Sequence, residues 1–134
     1  MLAEKIGVIG LGNAGSAVAG ALAQKTTVIG FDPSLERCTH AKSLGVECVH
    51  SLEELTDRTG KIILSLPKPE ISLSVTKSLS ESSATPKIII ETSTVTPQTA
   101  VTCNDICEQK GIAYVDAAIA GGVVLTTITD ITGF

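Results

Sequence analysis

The apolar positions of this chain fall into short, nearly solid runs, separated by longer mixed stretches. Six such runs predict strands at 5–10 (KIGVIG), 26–31 (TTVIGF), 46–50 (VECVH), 61–66 (KIILSL), 87–91 (KIIIE) and 112–117 (IAYVDA). Several are continuously apolar and β-branched, as expected of strands in a parallel sheet covered on both faces. The stretches between them predict helices at 13–24, 34–44, 51–57, 69–80 and 97–110. Ser51 with Glu54 three residues on forms a capping-box signal, and Thr96-Pro97 places a cap before a first-turn proline. Gly45 and Gly111 fall just past helices, where a left-handed residue is cheapest for glycine. Strand–helix alternation of this kind specifies an α/β fold, a doubly wound and mainly parallel sheet with right-handed crossovers. With no internal repeat or linker, residues 1–134 read as one domain.

Composition narrows the function classes. Of the residues, 43% are hydrophobic and 18% charged, which suits a globular chain. A formal charge of −4, with two Phe, one Tyr and no Trp, excludes a nucleic-acid surface and an anionic-membrane surface. No apolar run approaches the ~20 residues of a bilayer span. The first strand begins almost at once, leaving no room for a signal peptide, so a cytoplasmic location is expected, an organelle matrix being the alternative. Cys38, Cys48, Cys103 and Cys107 are expected as free thiols. Cys38/His40 and Cys48/His50 match no usual structural zinc spacing, and helical neighbours two apart point in nearly opposite directions.

The chemistry lies in "GVIGLGNAGSAVAGAL". Gly10, Gly12 and Gly15 form G-x-G-x-x-G where a strand gives way to a helix, inside a first βαβ unit, as the dinucleotide fingerprint requires. Gly10 allows the tight turn, Gly12 lets a pyrophosphate approach the backbone, and Gly15 lets helix and strand pack closely. Leu11, Asn13 and Ala14 complete the loop, whose free N–H groups at the helix start attract phosphate. Asp32 ends the second strand about 20 residues after Gly10, the spacing at which an acid takes the ribose hydroxyls. Its charge repels a 2′-phosphate, which favours NAD as cofactor over NADP. Two roles stay open for Asp32, since it could also cap the helix after Pro33. Arg37, one helical turn on, is placed to reach a 2′-phosphate.

With these motifs in order, the chain resembles the N-terminal Rossmann domain of the 3-hydroxyisobutyrate (β-hydroxyacid) dehydrogenase family, relatives of 6-phosphogluconate dehydrogenase. The resemblance spans about residues 5 to 123. The glycine stretch is similar to G-x-I-G-L-G-x-M-G-x-x-M-A-x-N-L, with Ala14, Val18 and Ala21 at the Met, Met and Asn positions. "FDPS" carries the acid of NAD-using members. "LSLP" is similar to a strand end in Leu-Pro, which implies that Leu66 and Pro67 line the cofactor groove. "ETSTVTP" resembles D-x-S-T-x-x-P and implies Ser93 and, above all, Thr94 near the nicotinamide-side ribose. "VDAAIAGGV" is similar to the substrate loop D-A-P-V-S-G-G, with Ala118 and Ala120 in place of Pro and Ser. It implies substrate contact at Ala120, Gly121 and Gly122, through backbone donors alone at Ala120.

The family continues with an all-helical domain that carries a lysine in a K-x-x-N-type motif. Lys68, Lys77, Lys87 and Lys110 stand outside that context, so no residue here is assigned as catalytic. The resemblance implies hydride transfer between NAD and a small 3-hydroxy acid in the whole enzyme, with a chain truncated after the substrate loop and not active alone. A non-catalytic NAD-binding regulatory module is the alternative, and pyrroline-carboxylate reductases and methyltransferases share parts of the pattern. Family members also bury the last strand's surroundings against a second subunit, which implies a homo-oligomer contact around Ile119, Val123, Val124 and Leu125.

Overall fold

The structure is a computed structural model that describes residues 4–117. Each predicted strand and helix is present: β1 (Lys5–Ile9), α1 (Asn13–Ala23), β2 (Thr27–Phe31), α2 (Leu35–Ser43), β3 (Glu47–Cys48), α3 (Leu52–Arg58), β4 (Lys61–Leu64), α4 (Pro69–Ser80), β5 (Ile88–Glu91), α5 (Pro97–Gln109) and β6 (Ala113–Asp116). The strands form one sheet in the order β3-β2-β1-β4-β5-β6, every neighbouring pair parallel. That is the doubly wound order whose strand sequence reverses between β1 and β4, and ligands of such sheets sit at that switch point beyond the strand ends.

The solid apolar runs follow from helices on both faces. Ile6 and Val8 of β1, Ile63 of β4 and Ile90 of β5 pack with Val18, Leu22 and Ala41 of α1 and α2. Ile9, Ile62, Leu64 and Ile89 point the other way, against Leu55, Leu79 and Cys107 of α3, α4 and α5. Successive strand residues therefore serve opposite cores, and each buried Ile or Leu contributes roughly 1.5–3 kcal/mol.

Strand ends differ from the expected bounds for local reasons. β1 stops at Ile9 because Gly10, at φ +97°, turns the chain out of the sheet. The ladder continues for one bond on each side, from Gly10 N–H to the Phe31 carbonyl and from Ser65 N–H to the Ile9 carbonyl, both 2.9 Å. β3 has two residues rather than five, since this edge strand pairs only with β2. The helix starts are capped by Ser34, Ser51 and Thr96 side chains, while Gly45 and Gly111 adopt the left-handed φ. Cys38, Cys103 and Cys107 are buried free thiols and Cys48 is half-buried. Cys38 points inward from α2 and His40 outward. No helix among the described residues is long and apolar enough to cross a membrane.

Candidate functional site

At the switch point, beyond the ends of β1, β2 and β4, lies a cleft of about 420 Å³. Gly10, Gly12, Asn13, Ala14 and Gly15 form its floor, Phe31, Asp32 and Arg37 one wall, and Ser65, Leu66 and Pro67 the other, joined by Ile71 and Val75 of α4. Eight residues singled out in the sequence for a dinucleotide thus meet around one space: Gly10, Gly12, Asn13, Ala14, Gly15, Asp32, Leu66 and Pro67.

The three glycines have three distinct reasons. A Cβ on Gly10 would stand 2.0 Å from the Ser65 carbonyl oxygen, and its φ is left-handed. A Cβ on Gly15 would stand 1.9 Å from the Gly10 carbonyl oxygen, so α1 presses directly on the turn. Gly12 is different. A Cβ there would meet nothing closer than Arg37 Cζ at 3.8 Å, and its φ of −68° suits any residue. The fold has no need of glycine at 12. α1 starts at this point with no side-chain cap and no acid in its first turn, and its leading residues Asn13, Ala14 and Gly15 line the cleft.

Asp32 is almost fully buried and held at both oxygens. Its Oδ2 accepts from Leu11 N–H and its Oδ1 from Ser34 N–H, both at 2.8 Å. The cap of α2 is Ser34, whose hydroxyl accepts from Arg37 N–H at 3.3 Å, so the helix-capping role open to Asp32 belongs to its neighbour. Asp32 instead ties the glycine turn to the end of β2. Leu11, by contrast, turns its side chain into the core and offers only its backbone. The Arg37 guanidinium arches from α2 to within 3.7 Å of Asp32, with over half of the side chain in solvent.

A family model for the NAD-binding domain of 6-phosphogluconate dehydrogenase matches residues 5–131. The chain belongs to this family. No curated protein sequence matches it. Among solved structures, 3-hydroxyisobutyrate dehydrogenase from Mycobacterium tuberculosis, determined with L-serine, is 28% identical at a TM-score of 0.80, over 92% of this chain and 42% of that one. The imine reductase from Pseudomonas sp. shares the fold at 23% identity and a TM-score of 0.81, over 97% of this chain and 51% of that one. So does the imine reductase of Myxococcus stipitatus, a V8 variant solved with NAD+, at 23% and 0.76, over 90% and 42%. The chain spans 42 to 51% of the length of these structures. It is a nicotinamide-dinucleotide-binding domain of an oxidoreductase family.

Not every candidate residue reaches the cleft. Thr94 is exposed beyond β5 and is not part of the cleft lining, whereas Ser93 is buried, its Oγ accepting from Leu66 N–H at 2.6 Å. Ala120, Gly121 and Gly122 lie outside the described residues, as do Ile119, Val123, Val124 and Leu125. Sequence reasoning missed Ile71 and Val75, which reach the cleft only because α4 packs beside β4. It also missed Glu91, a fully buried acid behind the Leu66 wall. Its signal was present in "IIIET", an acid at the end of a strand otherwise buried on both faces.

Proposed function

We propose that the domain binds NAD in preference to NADP and is the cofactor-holding part of a dehydrogenase acting on a small 3-hydroxy acid. The observation that carries the reading is Asp32, a carboxylate pinned at the end of β2 beside an unobstructed Gly12. In this reading the Gly12 backbone and the α1 N-terminus hold the pyrophosphate. Asp32 takes the ribose hydroxyls of the adenosine half, and Leu66 and Pro67 form the opposite wall. The bound nicotinamide supplies hydride chemistry, while the domain orients it and shields one side. Family resemblance adds Thr94 on the nicotinamide-side ribose and Ala120, Gly121 and Gly122 at the substrate.

The two cofactors differ in how they meet Asp32 and Arg37. A 2′-phosphate has to sit against a carboxylate that cannot swing away, because two backbone N–H groups hold it. Arg37 offsets part of that charge, yet a half-solvated pair at 3.7 Å contributes little. NAD is therefore favoured. Calorimetry with both dinucleotides tests this on the unmodified chain and on Asp32→Asn, which keeps an acceptor for Leu11 N–H but removes the charge. NAD should bind more tightly to the parent, and Asp32→Asn should weaken it roughly tenfold while narrowing the gap to NADP. Tighter binding of NADP by the parent overturns the assignment.

A further inference from the structure

Behind the Leu66–Pro67 wall, between α4, α5, β5 and β6, lies a buried polar cluster that the cofactor reading does not use. At its centre is Glu91, with no solvent exposure. Its Oε1 accepts from Ser93 N–H at 3.1 Å and from the Ser72 hydroxyl at 3.3 Å. Its Oε2 is buried without a partner, as are Thr76 Oγ1 and Tyr114 OH. The Cys103 thiol lies beside the side chains of Thr76 and Tyr114.

Both bonds to Oε1 lead to the cleft. Ser93 passes the first on, because its Oγ receives the N–H of Leu66 at 2.6 Å. Ser72 belongs to the first turns of α4, the helix that follows Pro67 and places Ile71 and Val75 in the same wall. One oxygen atom thus fixes the wall before and after its Leu-Pro corner. Thr92 stitches the same strand ends, with its hydroxyl 2.6 Å from the Leu64 carbonyl.

We infer that Glu91 is the positioning residue for this wall of the cleft and performs that task as a neutral carboxylic acid. Among the described residues, the groups that face it include no cation: Ser72 and Thr76 from α4, Cys103 from α5, Tyr114 and the acid Asp116 from β6. An ionised carboxylate in that setting carries a large desolvation cost, offset only by its serine hydrogen bonds and by no described cation. Protonation at Oε2 removes the charge from the oxygen that has no hydrogen-bond partner, and Oε1 remains the acceptor for Ser93 and Ser72. Burial first, then the Asp116 charge, pushes the Glu91 carboxyl up, against the pull of its serine bonds. Burial likewise pushes the Cys103 thiol and the Tyr114 phenol up.

The proposal rests on the dinucleotide reading for its effect on affinity, and the test separates the two. Amide hydrogen exchange at Leu66 is followed by NMR in the ligand-free chain, and NAD affinity by calorimetry, for the parent, Glu91→Gln, Glu91→Ala and Ser93→Ala. Glu91→Ala and Ser93→Ala should speed exchange at Leu66 and weaken NAD about tenfold, the scale of one lost hydrogen bond. Glu91→Gln, whose amide keeps the acceptor and replaces the acidic O–H by N–H, should restore both at neutral pH. Parent affinity should decline as rising pH ionises Glu91, and the Gln variant should not follow it, a difference that a purely structural role does not produce. Loss in Glu91→Gln equal to that in Glu91→Ala, or unchanged Leu66 exchange in both truncations, overturns the proposal. A parent that binds no NAD overturns the cofactor reading alone, because exchange at Leu66 still judges the network. If Glu91→Ala does not fold, Ser93→Ala and Glu91→Gln decide.

Discussion

Single residues in the glycine turn separate fold from function. Gly10 and Gly15 are demanded by the protein itself, since a methyl group at either would overlap a carbonyl oxygen at about half the normal contact distance. Gly12 is demanded by nothing in the protein. Two substitutions should therefore behave in opposite ways. Gly15→Ala should lower the melting temperature markedly, because α1 must shift off the turn, at a cost of a few kcal/mol, roughly 2–4. Gly12→Val should leave melting nearly unchanged and abolish the heat of NAD binding, its methyl groups filling the pyrophosphate position. Differential scanning fluorimetry and calorimetry on the two variants give both answers. Unchanged NAD affinity in a folded Gly12→Val chain would show that no phosphate lies on this backbone.

At the level of elements, the legible part of the structure was the part encoded locally. Ser51 accepts from Glu54 N–H at 3.0 Å, and Glu54 Oε1 reaches back to His50 N–H at 3.1 Å, one residue before the cap. Ser51→Ala should thus cost ~1 kcal/mol in urea unfolding. Because α3 packs against the face away from the glycine turn, NAD affinity should not change. Caps, continuous β-branched runs and the Gly10-to-Asp32 spacing each lie within one or two elements, and a single sequence displays them. The wall around Leu66 does not, because it is assembled by bonds spanning 27 residues from Ser93 and 19 from Glu91 to Ser72. Side-chain direction after a strand is also hidden. Ser93 turns inward and Thr94 outward, and that depends on how the chain leaves β5 toward the Thr96 cap. β3 was overestimated for a related reason, since strand length at an edge is set by the one neighbour available.

At the scale of the whole molecule, the described residues give the cleft groups that can hold a ligand. Among the described residues, Asp32 and Arg37 are the titratable side chains that line it, and both belong to the wall at the ends of β2 and α2. Neither faces the Leu66–Pro67 side, and each is already engaged with the other or with backbone N–H groups. No described group is thus placed to exchange the hydroxyl proton of a substrate, and a positioned acid or base typically contributes ~10²–10⁴-fold. Position 120, the substrate contact of the proposed reading, carries an alanine with no side-chain hydroxyl. These deficits multiply. The purified 134-residue chain should bind NAD and yet show no dehydrogenase turnover above background. An NADH absorbance assay over 3-hydroxyisobutyrate, glycerate and threonate checks this. A rate that scales with chain concentration and vanishes in Gly12→Val would locate catalytic groups within the chain itself.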